Sequence, residues 1–86
     1  MALLIVPDGT LLEGWPADNL EDWTQAVEGY VEAIHLRNGD TMLVNEEGLY
    51  RNLPINEYAS SFCDHQHVIF GRALVLTPEE WENANV

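Results

Sequence analysis

The sequence predicts an α+β fold: a small, mostly antiparallel sheet of about five strands with one main amphipathic helix and one or two short helices. Three observations predict it. Asn38-Gly39 lies between two apolar runs, the strongest short-range signal for a β-hairpin. Leu20, Trp23, Val27 and Tyr30 recur at intervals of three and four, the stripe of an amphipathic helix. The remaining apolar runs are short and are bounded by turn residues such as Pro7-Asp8-Gly9 and Gly71-Arg72.

In chain order, Ala2 to Val6 is an apolar run ending at Pro7-Asp8-Gly9. Asp-Gly favours a turn and proline adds no N–H to a ladder, so a strand followed by a turn is expected. A second short strand is expected over Thr10 to Gly14. Trp15-Pro16 opens a loop, after which Asp18 or Asn19 caps the helix; Asp18 and Glu21 have the spacing of a capping box. Glu21, Asp22, Gln25 and Glu28 fall opposite the apolar stripe, and the first-turn acids suit the positive end of the helix dipole. Gly29 is expected to end the helix in the left-handed conformation.

Tyr30 to Leu36 and Thr41 to Asn45 read as the two strands of the hairpin. Glu46-Glu47-Gly48 reads as a second tight turn with Gly48 at positive φ, leading into Leu49 to Arg51 as the third strand of a meander. Leu53-Pro54 breaks the pattern. Asn56 can cap a short helix over Glu57 to Phe62, with Tyr58, Ala59 and Phe62 on one side. Val68 to Leu76 reads as a long strand interrupted at Gly71-Arg72 by a bulge or a close backbone approach. Thr77-Pro78-Glu79-Glu80 is a full helix start, with Thr at the N-cap, Pro in the first turn and Glu three residues after the cap. The short terminal helix that follows can be stapled to the body by Trp81.

The composition bounds the function. The 86 residues, 47% of them hydrophobic, are read as one small acidic domain, 1–86. Fifteen Asp and Glu stand against three basic residues, Arg37, Arg51 and Arg72, giving a net charge of −12. That charge repels nucleic acid and anionic membranes and favours a basic partner, although it also serves solubility. The acids are spread along the chain, so the sequence does not decide between the two. The single cysteine, Cys63, permits no intramolecular disulfide. The apolar start lacks the basic region of a signal peptide, and no apolar run approaches the ~18 residues of a membrane span. A cytoplasmic protein is expected.

Several segments, taken together, carry a resemblance. They are Pro7-Asp8-Gly9-Thr10, Val27-Glu28-Gly29-Tyr30-Val31-Glu32, Leu43-Val44-Asn45-Glu46-Glu47-Gly48, Leu53-Pro54-Ile55-Asn56 with Ala59, and Gly71-Arg72-Ala73-Leu74-Val75-Leu76. In order and spacing the chain resembles domain-of-unknown-function family 3846 from about Ala2 to Leu76. The resemblance implies a compact domain and a phage or mobile-element setting. It implies no catalytic residues.

Three groups of residues are candidates for chemistry. Asn45, Glu46 and Glu47, with Asn52 and Asn56, could converge as carboxylates and amides that bind a ligand, although each also suits a turn or cap. Trp15 and Trp81 flank element ends, as partner anchors or as lids on a small core. Cys63, His65 and His67 alternate, with His35 or a carboxylate as a fourth zinc donor, but the ligand set is incomplete and no metal is expected. No nucleophile elbow, phosphate loop or dinucleotide motif is present, so neither an enzyme nor a cofactor is expected.

These features lead to the expectation of a non-enzymatic binding module that engages a basic host protein, such as a nucleic-acid-binding or defence protein, through an acidic surface. No direct contact with nucleic acid or membrane is expected. A small-ligand or nucleotide binder, as a homo-oligomer, is one alternative, and a structural accessory subunit is another. Pairing of Val68 to Leu76 between copies leaves a homodimer open.

Overall fold

Two turns of the expected kind seed the sheet. At the first, the Gly9 N–H donates to the Val6 carbonyl at 2.9 Å and the Asp8 carboxylate accepts from the Thr10 N–H at 2.8 Å. At the second, Gly39 takes φ 96° and the Leu36 N–H donates to the Asp40 carbonyl at 2.8 Å. The computed structural model describes residues 2–63 and 67–84. These turns join β1 (Ala2–Ile5) to β2 (Leu11–Trp15) and β3 (Val31–His35) to β4 (Thr41–Asn45). With β5 (Ala73–Leu76) they form one sheet in the order β2-β1-β5-β4-β3, antiparallel at every neighbouring pair. Among the described residues three helices, α1 (Leu20–Val27), α2 (Glu57–Ser61) and α3 (Pro78–Asn83), complete the α+β fold.

Successive side chains of a strand point to opposite faces, and both faces of the central strands are covered. On the front face Leu4, Leu43, Leu74 and Leu76 pack with Trp23 and Ala26 of α1. On the back face Ile5, Met42, Val44 and Ala73 pack with Ala59 of α2 and with Ile69. This is why β4 is buried along its whole length. Each fully buried Leu of the front face contributes about 1.5–3 kcal/mol of transfer free energy.

The front is sealed by aromatic rings. Trp23 stacks on Trp81 of α3 with centroids 5.5 Å apart and planes 13° from parallel, and the His35 ring meets Trp81 edge-on. The Trp23 indole N–H donates to the Ala17 carbonyl at 3.0 Å, so the ring is buried without leaving a polar atom unpaired. α3 starts as its sequence predicts: the Thr77 hydroxyl accepts from the Glu80 N–H, and the Glu80 carboxylate accepts from the Thr77 N–H.

Of the two caps expected for α1, Asn19 is the one used; its side-chain oxygen accepts from the Asp22 N–H, while the Asp22 carboxylate accepts from the Asp18 N–H, so the Asp18–Glu21 capping box does not form. Several other expectations are corrected. The buried stripe is Trp23, Ala26 and Val27, whereas Leu20 and Tyr30 are exposed, because α1 ends before Tyr30 and Leu20 sits in its first turn. The left-handed residue after α1 is Glu28, at φ 64°. Gly29 serves a different purpose: a Cβ there would lie 2.7 Å from the Asn45 amide nitrogen.

Leu49 to Arg51 do not form a strand. The Arg51 N–H donates to the Glu47 carbonyl and the Leu53 N–H to the Gly48 carbonyl, so residues 46–52 wind as consecutive turns. Gly48 is not at positive φ; it is buried, and a Cβ there would lie 2.6 Å from the Phe70 carbonyl oxygen. The long strand expected over Val68 to Leu76 is regular only from Ala73, beyond Gly71 at φ 90° and an isolated bridge between Ile55 and Phe70. It lies in the middle of the sheet, hydrogen-bonded on both sides, so it offers no free edge to a second copy.

Candidate binding surface

The amides singled out in the sequence serve as braces. Asn45 closes β4, and its side-chain N–H groups donate to the Val27 and Glu28 carbonyls at 3.0 and 3.3 Å, while its oxygen accepts from the Glu47 N–H. It therefore caps the C-terminal end of α1 from the sheet and sets the 46–52 turn. Asn56 is fully buried. Its N–H groups donate to the Ile5 and Gly71 carbonyls, both at 2.9 Å, and its oxygen accepts from the Ala59 N–H at 3.1 Å. One side chain thus satisfies a sheet carbonyl, a loop carbonyl and the first turn of α2, a combination that leaves none of its groups for a ligand.

Asn45, Glu46, Glu47, Asn52 and Asn56 therefore do not converge as a set, although Asn45 and Glu46 line one cavity together. Asn45 and Asn56 face inward, Glu46 and Glu47 are exposed on the turn, and Asn52 is an exposed residue at φ 55°. Trp15 and Trp81 are half-buried against the front core rather than presented as anchors. The spacing of Asn45 from the helix end and of Asn56 from Gly71 exists only in three dimensions, which is why the sequence could not separate a brace from a ligand contact.

The zinc candidates are also divided. The Cys63 sulfur lies 4.0 Å from the Met42 sulfur and 3.8 Å from the Ala59 carbonyl, at the back face. His67 is exposed, and His65 lies outside the described residues. His35 points to the front, where its Nδ1 is 3.0 Å from the Thr41 hydroxyl. Among the described residues no group of three His, Cys, Asp or Glu side chains is placed to hold a metal ion, and no helix is long and apolar enough to cross a membrane.

Some of the acids, by contrast, are gathered by the fold around one cleft. A cleft of about 250 Å³ separates the start of α1 from α3, lined by Ala17, Asp18, Glu79, Glu80, Asn83 and Ala84. Glu21, Asp22 and Glu82 belong to the same two helices, and neither helix carries a basic residue. Two of the three arginines sit at the other end of α1. Arg51 donates to the Glu28 carbonyl at 2.8 Å, and the Arg72 Nε is 3.7 Å from the Glu28 carboxylate. Glu21 and Asp22 thus lie at the positive end of the α1 dipole, and Arg51 and Arg72 meet Glu28 at its negative end. Partial desolvation pushes the Glu80 carboxyl up, but its hydrogen bonds, those with Thr77 among them, outweigh this and hold it below the ordinary glutamate value. It stays ionised at neutral pH.

The family described as "Domain of unknown function (DUF3846)" matches residues 1–85. The chain belongs to that family. No curated protein and no solved structure matches it. The segments by which the chain resembles the DUF3846 family acquire a physical meaning here. Asn45, Gly48, Asn56 and Gly71 in those segments are positions where separate elements of the fold meet closely. In this DUF3846 domain they join separate elements of the fold.

Proposed function

We propose that the chain is a non-enzymatic binding module that engages a basic partner protein through the acidic layer made by α1 and α3. The observation that carries this reading is the placement of Asp18, Glu79 and Glu80 around one cleft, on two helices without a basic residue, while Arg51 and Arg72 are held at the far end of α1. A net charge of −12 attracts cationic surfaces over distances comparable with the Debye length, about 8 Å at physiological salt, and speeds encounter with them. Proteins that bind nucleic acid present such surfaces. In a phage or mobile-element setting, a host nucleic-acid-binding or defence protein would be the natural target. The small-ligand reading has no comparable support, since the amides that motivated it are committed inside the fold.

The test is retention of basic proteins from a bacterial lysate on the immobilised chain, followed by elution along a salt gradient. Release at moderate salt is expected, with retention lost on the variant carrying Asp18→Asn, Glu21→Gln, Glu79→Gln and Glu82→Gln. Retention that is indifferent to both salt and these four substitutions would refute the reading.

A further inference from the structure

The two faces of the sheet are not closed to the same extent, and the difference leaves a groove. α2 is only five residues long and covers Met42, Val44 and Ala73 through Ala59. Leu3 and Val75 are paired across β1 and β5 and point to the same back face, yet both remain half-exposed, as does Leu36 beyond the end of β3. Phe62, at the end of α2, stays 43% exposed beside them, and Leu11, opposite Ile5 on the edge strand, is 45% exposed.

Leu3, Leu36, Phe62 and Val75 line a depression in two adjoining parts. One part, about 100 Å³, is lined by Leu3, Ile5, Leu36, Phe62 and Val75, with Asn38 and Asp40 at its rim. The other, about 340 Å³, shares Leu3, Asp40 and Val75 and extends to Ala2, Glu13, Gly14, Thr77 and Glu80. The floor of the smaller part is apolar and the rim carries Glu13, Asp40 and Glu80, with no Lys, Arg or His among the described lining residues. Glu80 also lines the cleft between α1 and α3, so the groove opens onto the acidic layer.

We infer that this groove docks a segment of the partner protein that carries two or three neighbouring apolar side chains flanked by Lys or Arg. The inference rests on the binding-module reading and names the chemistry of the contact. Charge complementarity selects the occupant. An apolar floor takes aliphatic or aromatic side chains out of water, at roughly 25 cal/mol per Å² buried, and the acidic rim meets the flanking cations. A second copy of this chain is the wrong occupant, because it would bring another −12 charge against an acidic rim. The layer of α1 and α3 then governs the rate of encounter, and the groove governs the lifetime of the complex.

Fluorescence anisotropy with three labelled synthetic peptides tests this. The first has a Leu-Ile-Leu core flanked by Lys and Arg, the second replaces the core with Ser, and the third replaces the basic residues with Glu. The first is expected to bind at least about tenfold more tightly than the second, a difference of about 1.4 kcal/mol, and the third not at all. Amide shifts on binding should centre on Leu3, Leu36, Phe62 and Val75. Phe62→Ala, and separately the pair Glu13→Gln and Asp40→Asn, should each weaken binding about fivefold or more; the second variant leaves the core untouched. Equal binding of the first two peptides, with shifts confined to α1 and α3, would overturn the groove while leaving the acidic layer standing. No binding of either basic peptide would overturn both. Self-association that rises with concentration and shifts Leu3 and Val75 would make the occupant a second copy and overturn the assignment.

Discussion

The front and back faces of the sheet solve the same problem with different chemistry. The front buries area: α1 and α3 lay Trp23 and Trp81 over Leu43, Leu74 and Leu76, and the stacked rings exclude water. The back adds a polar brace to its own apolar cluster: one buried amide, Asn56, ties Ile5, Gly71 and Ala59 together beneath a five-residue helix. A large apolar lid closes its face. A polar brace fixes geometry at one point and leaves neighbouring apolar side chains part-exposed. The face with the weaker lid is the one on which Leu3, Phe62 and Val75 keep part of their apolar surface in water.

The largest effect should come from removing the front lid. Trp23→Ala is expected to cost about 3–5 kcal/mol, enough to unfold much of a domain this small, as measured by urea denaturation followed through Trp81 fluorescence. Asn56→Ala strikes the back brace. It orphans two carbonyls and removes the cap of α2, so a loss of about 2–4 kcal/mol is expected by thermal unfolding. If Asn56→Ala proved neutral, the polar account of the back face would fail. Thr77→Ala removes half of the capping box of α3 and should cost about 1 kcal/mol, with the Trp23–Trp81 stack reporting the loosening as a change in near-ultraviolet circular dichroism.

Phe62→Ala should cost no more than about 1 kcal/mol, because the side chain is only partly buried, while its effect on peptide binding is much larger; a loss of stability comparable with Trp23→Ala would erase the distinction between the faces. The smallest effect concerns pH. The side-chain and backbone hydrogen bonds from Thr10 hold the Asp8 carboxyl below its ordinary value of 3.8. A folded-state pKa that is depressed contributes stability above the unfolded value and loses it as pH falls through the folded one. The melting temperatures of the wild type and Asp8→Asn should therefore differ slightly at pH 5 and converge well below pH 3.8. A difference that persisted unchanged in acid would show that the turn does not depend on the ionised carboxylate.

The sequence by itself determined the features whose causes lie within a few residues of one another. Asn38-Gly39 specified the hairpin, Thr77-Pro78-Glu79-Glu80 specified the start of α3, and Asn56 specified the cap of α2. Each depends on dihedral preferences and on hydrogen bonds between near neighbours. It also determined the total charge. Tertiary structure decided the rest, because those outcomes depend on groups far apart in the chain. Gly29 and Gly48 look like turn glycines, but they are required because Asn45 and Phe70 press against them. Asn45 and Asn56 look like ligand contacts until carbonyls 18 and 51 residues away take up their amides. Residues 73–76 look like an edge until β1 and β4 flank them. A buried amide must find a partner wherever the fold places one, and only the assembled sheet fixes which carbonyls are within reach and which apolar side chains are left facing water.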